Sequence, residues 1–158
     1  MTQDASFQDG AEEPLRLVAL DADDLQVISA LAQDAVLPVT EMTWDRRSRR
    51  FSMLLNRFRW EDRTAAERRG RPVERVRSVL SVSGVDHVAS QGFDRRDDDL
   101  VLSLLSVTFE AGEDGAGRVA LTLAGDGAIA VDVECLEVTL TDVTRPYAAP
   151  SGKTPEHR

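Results

Sequence analysis

The chain has 158 residues, one cysteine and a net charge of −9. It is long enough for a core without disulfides, it cannot form an intrachain disulfide or a zinc site of several thiolates, and its charge argues against general affinity for polyanions. Apolar residues make up 42% but aromatics only 5%, so aliphatic side chains must fill most of the interior. No run approaches the roughly eighteen apolar residues of a spanning helix, and the opening MTQDASFQDGAEEP lacks the basic and apolar regions of a secretion signal. A cytoplasmic setting with no membrane partner is expected.

Residues 1–13 are polar and acidic without periodicity, and read as a disordered tail. Leu15–Leu20 reads as a short strand. Asp21 then sits where a helix N-cap belongs, with Asp23 and Asp24 in the first turn, where carboxylates complement the helix dipole. Leu25, Ile28, Leu31 or Ala32, and Ala35 recur at helical spacing, so a helix over about 23–35 lays one apolar stripe on a sheet and stops before Pro38.

Thr40–Trp44 and Phe51–Trp60 read as two strands joined by the polar turn Asp45–Arg50, a β-hairpin. Phe51, Met53 and Leu55 share one parity while Phe58 and Trp60 take the other, which predicts a bulge. Glu61–Pro72 is charged and reads as a mobile loop. Val73 to Gly84 is a strand, Gln91–Asp99 a polar connection. Leu100–Phe109 is apolar on both parities, which suits a strand covered on both faces. Arg118–Leu123 alternates cleanly between the turns 111–117 and 125–127.

Ala128–Val143 is the stretch around which the chain is organised. Ile129, Val131, Val133 and Cys135 share one parity, and Leu136, Val138 and Leu140 the other. A one-residue slip turns every side chain to the opposite face, so a single long strand must bend or bulge near Glu134–Leu136. That parity places Cys135 in the core and Asp132 and Glu134 on a wet face. Pro146, Pro150, Gly152 and Pro155 mark 146–158 as a second tail. The expected architecture is one α+β domain over 14–145, with a largely antiparallel sheet of about seven strands and one N-terminal helix. The alternative is a bent sheet closing into a barrel that resembles pleckstrin-homology folds.

Charge is unevenly placed. Between Arg46 and Arg77 there are twelve arginines and four acids, a balance of +8, and the other residues carry −17. This marks either a surface for an anionic partner or a basic hairpin neutralised by its own acidic body. The candidate binding residues are Arg46, Arg47, Arg49 and Arg50 at the turn, with Arg57 and Trp60 beyond it. Arginine forks suit carboxylates, so an acidic protein or peptide is the expected partner. Arginine among Trp44, Phe51, Phe58 and Trp60 also allows a weak nucleic-acid reading, although aromatics this scarce are needed in the core.

No catalytic constellation emerges. His87 with Cys135 could be written as a nucleophile and base, but no signature surrounds the cysteine. His157 falls in the tail, which leaves no histidine-based metal motif. Asp97–Asp99 lacks the spacing of a calcium loop, and the glycine-rich turns match neither phosphate-binding pattern. No metal or cofactor is expected, and the reading leans away from an enzyme. The rival is a small-molecule binder or enzyme with a pocket between the helix and the sheet. Free edge strands leave homo-oligomerisation as a further alternative.

Four blocks, LRLVALDADDLQVISALAQDAVL (15–37), LLNRFRWE (54–61), VLSLLSVTFE (101–110) and GAIAVDVECLEVTLTDV (127–143), together resemble a family of small alphaproteobacterial proteins known as a domain of unknown function. The resemblance implies a bacterial cytoplasmic setting and brings no activity, cofactor or catalytic residue to any position. A non-catalytic interaction module acting through the arginine-rich hairpin is the function expected from the residues themselves.

Overall fold

The computed structural model describes residues 14–148, so the expected tails over 1–13 and from 149 onward lie outside the described residues. Among the described residues are eleven strands, all paired antiparallel, and two α-helices. The strands are β1 (Arg16–Ala19), β2 (Val36–Pro38), β3 (Met42–Asp45), β4 (Arg50–Phe58), β5 (Glu74–Val82), β6 (Val85–Gln91), β7 (Val101–Ala111), β8 (Gly117–Leu123), β9 (Ala128–Val133), β10 (Val138–Asp142) and β11 (Tyr147–Ala148). The helices are α1 (Ala22–Ala32) and α2 (Arg63–Arg68). Hydrogen-bonded neighbours run β1-β10-β5-β4-β2-β7-β8-β9-β6, with β3 attached to β4 and β11 to β5. This path has two ends and is not a closed barrel.

The seven strands expected become eleven for identifiable reasons. β2 is three residues long, too short to show alternation, and is held between β4 and β7. Tyr147 and Ala148, assigned above to a tail, pair with Arg75 and Glu74. The strand expected from Val73 continues past Gly84 as β6. The long strand 128–143 is two strands, β9 and β10. The bend expected near Glu134–Leu136 is there, as a full break rather than a bulge. Opposite it, β5 breaks from β6 at Ser83–Gly84, and the two breaks are tied by Ser83 N to Glu137 O and Glu134 N to Gly84 O, both 3.0 Å. A two-stranded ribbon therefore turns a corner as a unit. β5 and β10 lie on one side of it, β6 and β9 on the other.

This corner overturns the placement of Cys135. Parity within one strand put the thiol inside, but the strand ends at Val133 and Cys135 is exposed. Leu136, 6% exposed, takes the inward place instead. β7 also departs from expectation. It is covered on one face, with Leu102, Leu104 and Val107 buried, while Val101 is 59% exposed. A register shift between Leu104 and Ser106 accompanies its passage from β2 to β8.

α1 forms for the local reasons given. Asp21 Oδ1 accepts Asp24 N at 2.7 Å, closing the N-terminus, and Leu25, Ile28 and Ala32 are buried. It stops at Ala32, short of the residue 35 expected, because Asp34 turns the chain at φ 64° into β2. Asp21→Ala should cost about 1 kcal/mol by leaving that amide without its acceptor. A urea melt with unchanged slope reads the loss.

The loop expected over 61–72 holds α2 instead. A six-residue helix is not stable by itself. It is held because Ala66, fully buried, packs with Phe58 and Val73 in a small second core bordered by Trp60. The bulge expected in β4 is also absent. β4 pairs with β5 without interruption from Phe51↔Val82 to Phe58↔Arg75. The inner parity continues Phe51, Met53, Leu55, Arg57, so an arginine occupies a core position.

Candidate interaction site

The arginines between 46 and 77 divide into two sets. Arg57 is 0% exposed and donates every N–H inward. Nε reaches Ser78 Oγ at 2.9 Å, Nη2 reaches Asp142 Oδ1 at 3.0 Å, and Nη1 and Nη2 each reach a Glu61 carboxylate oxygen at 2.9 Å. Nη1 also reaches Phe58 O at 3.1 Å. Ser78 Oγ donates to Asp142 Oδ1 at 2.6 Å, and Leu15 N donates to Asp142 Oδ2 at 3.0 Å. Burial pulls the guanidinium down, but the bonds to Glu61 and the charges of Glu61 and Asp142 outweigh it and hold Arg57 above its ordinary pKa.

A buried side chain with every donor used offers nothing to a docked partner. Arg57 is a tie between β4, β5, β10 and the turn at Glu61. Sequence reasoning passed over Ser78 and Asp142. The signal that could have found them is that each continues the apolar parity of its strand, as Arg57 does.

Four more arginines find carboxylates within the chain. Arg59 reaches Glu74 at 2.8 Å, Arg71 reaches Asp62 at 2.7 Å, and Arg63 reaches Glu67 at 3.0 Å. Arg49 bridges Asp86 and Glu134, whose bonds raise its pKa. Arg75 lies 4.2 Å above the Phe58 ring. Trp60 is half-buried, with Nε1–H donating to Gln33 O at 2.9 Å and Arg63 over its ring.

The other set is exposed: Arg68, Arg69 and Arg77 lie away from the turn at 45–50, and the rest stand at the hairpin tip. Asp45 Oδ1 accepts Arg47 N at 3.0 Å and Ser48 N at 3.3 Å, a side-chain turn that forms the loop, and Arg49 closes it at φ 56°. The Ser48 hydroxyl first, then the Ser48 and Arg47 amides and the Arg50 charge, hold the Asp45 carboxyl below its usual range. Arg46, Arg47 and Arg50 are exposed, and among the described residues Arg46 and Arg47 have no side-chain partner.

Beside the tip the sheet is open. β3 bonds only β4, and β6 only β9. These edges face each other, with their Cα atoms mostly beyond 8 Å apart, against about 4.5–5.5 Å for paired strands. One end of the seam is pinned where Val85 N donates to Arg49 O at 2.9 Å. Between the two edges lies a cavity of about 170 Å³, bounded by Met42, Trp44 and Phe51 on one side and Val88, Phe93 and the exposed Arg95 on the other. Trp44 also borders a more open hollow of about 460 Å³ with Arg46, Arg49, Asp86 and His87. Neither hollow is lined by α1, where the rival pocket was expected.

A family model described as "Protein of unknown function (DUF2948)" matches residues 15–157. The chain belongs to this family. The match takes in all four blocks on which the resemblance rests. DUF2948 supplies a description without an activity, so no residue role comes from it. No curated protein and no solved structure matches the chain. Among the described residues, no helix of this DUF2948 member is long and apolar enough to cross a membrane, and no three histidine, cysteine or acidic side chains are grouped to hold a metal ion. Asp132, read above as wet-face, is paired with Arg118 at 2.8 Å.

Proposed function

We propose that this protein is a non-catalytic interaction module whose arginine-rich hairpin holds an acidic segment of a partner protein. One observation carries the reading: among the described residues Arg46 and Arg47 stand exposed without an internal partner, where Arg49, Arg57, Arg59, Arg63 and Arg71 each have a carboxylate. The acidic body has neutralised much of its basic segment and left the tip, along with Arg68, Arg69 and Arg77, without a carboxylate among the described residues. Unpaired guanidinium groups on an otherwise acidic surface steer and orient carboxylates. A nucleic-acid reading has less support, since Phe51 and Phe58 are buried in the two cores and present no ring face for stacking.

The test is anisotropy of a fluorescein-labelled glutamate-rich peptide titrated at low and high salt. Reversing both tip charges, Arg46→Glu with Arg47→Glu, should weaken binding about tenfold or more, from two exposed pairs at up to ~1 kcal/mol each. The matched control, Arg68→Glu with Arg69→Glu, should leave it largely intact. Equal losses from both pairs, or none from the first, overturn the reading.

A further inference from the structure

We propose that the seam between β3 and β6 is a strand-insertion site for an extended peptide that alternates acidic and aliphatic residues. This deepens the interaction reading above and rests on it. It names the form the acidic partner takes and where it lies.

Backbone chemistry comes first. An edge strand leaves alternate N–H and C=O groups without ladder partners and is a template for another strand. Here two such edges, Met42–Asp45 and Val85–Gln91, flank the same gap. The gap is wider than a ladder spacing, so the edges do not satisfy each other. One end is pinned through Arg49, and β3 offers four residues of edge. β6 is irregular between Val85 and His87 and pairs regularly with β9 from there to Gln91, so the stretch opposite the cavity is a regular edge.

Side-chain chemistry selects the occupant. The cavity of about 170 Å³ is below the roughly 300–1,000 Å³ of small-molecule pockets, so it suits a side chain carried by a backbone. Its walls, Met42, Trp44, Phe51, Val88 and Phe93, call for an aliphatic anchor. Along a strand the residues on either side of an anchor point the opposite way. The guanidinium groups that border the seam without a carboxylate among the described residues are Arg95 at the rim of the cavity and Arg46 at the adjoining hollow, while Asp86 is taken by Arg49. An acidic residue on each side of the anchor complements these two guanidinium groups.

The probe is a labelled heptapeptide alternating glutamate and valine, beside the same peptide N-methylated at alternate amides, which removes ladder donors and keeps charge and side chains. Amide hydrogen exchange of the full chain is followed with each. The expected result is binding of the first peptide, about tenfold weaker binding of the second, and slowed exchange confined to 42–45 and 87–91. Equal binding of both peptides without protection of those amides overturns insertion while the hairpin reading stands. Failure of the acidic peptide to bind at all overturns both. If the chain is a dimer by light scattering and those amides are already protected without peptide, the occupant is a second copy and the assignment to an acidic peptide is wrong.

Discussion

Asp142→Ala is expected to lower the unfolding free energy by about 3–5 kcal/mol, because it leaves the Arg57 guanidinium buried beside half of its counter-charge. Asp142 accepts from Arg57, from Ser78 and from the backbone of Leu15. Its removal therefore orphans the buried Ser78 hydroxyl and the part-buried Leu15 amide besides the cation, and frees the start of β1. The double variant Arg57→Met with Asp142→Ala should lose less than the single one, since an apolar replacement of the pair leaves no unpaired charge. Urea unfolding monitored by tryptophan fluorescence reads both. A double variant that loses the sum of the two single changes would show that the groups are not coupled. Linkage gives the sign with pH. A base whose folded pKa is raised contributes stability below its unfolded value and loses it only as pH rises through the folded value. For Arg57 that lies above the ordinary guanidinium range, so no alkaline loss is expected from this side chain at workable pH.

Gly92→Ala should cost about 2–4 kcal/mol, and two separate penalties make up the figure. Gly92 has φ +81°, which strains any residue carrying a Cβ. The Cβ would also stand 2.5 Å from Asp126 O and 2.8 Å from Gly127 Cα, backbone atoms of the turn between β8 and β9 that cannot rotate away. Gly70→Ala separates the two terms, because Gly70 has φ +63° with nothing within 4 Å of the added methyl. It should cost only the conformational part, about 1 kcal/mol. Comparable losses in the two variants would mean that the 126–127 turn yields. Phe93 follows Gly92 and lines the seam cavity, so the same substitution should weaken the alternating heptapeptide along with stability.

Features carried by neighbouring residues were legible in the chain. Asp21, Asp23 and Asp24 announce the start of α1 within one turn, and the alternation of Arg118–Leu123 is the alternation of β8. The hairpin of β3 and β4, the turn at Asp45–Arg50 and the break near Glu134–Leu136 follow from the same local signals. Errors arose where parity was carried across a boundary it could not reveal. Cys135 was placed inside by counting through the end of β9. A bulge was written into β4 because Phe58 and Trp60 leave the parity of Phe51, Met53 and Leu55, whereas the inward place that follows is filled by Arg57.

The candidate site was legible in part. The excess of arginine between 46 and 77 is a matter of composition, and Arg46, Arg47 and Arg50 are exposed as a turn tip requires. Which arginines remain unpaired could not be read in full, because some of the carboxylates that take them lie far along the chain. Arg57 meets Asp142 across 85 residues, and Arg49 meets Asp86 across 37. Trp44 was noted as one aromatic among arginines. Arg95 had no signal at all within a polar connection, since the cavity it borders exists only once β6 has come round to face β3.

By itself the sequence determined the family, the antiparallel alternation, the first helix and the place of the corner, since each depends on residues within a few positions of one another. Only the tertiary structure decided which strands pair, which arginines are neutralised and where the sheet stays open. The physical reason is that ion pairing and edge satisfaction depend on distances in space. Arg57 and Arg46 carry the same guanidinium eleven residues apart. One is enclosed by Ser78, Asp142 and Glu61, and the other stands at the tip of a hairpin beside an unfilled seam.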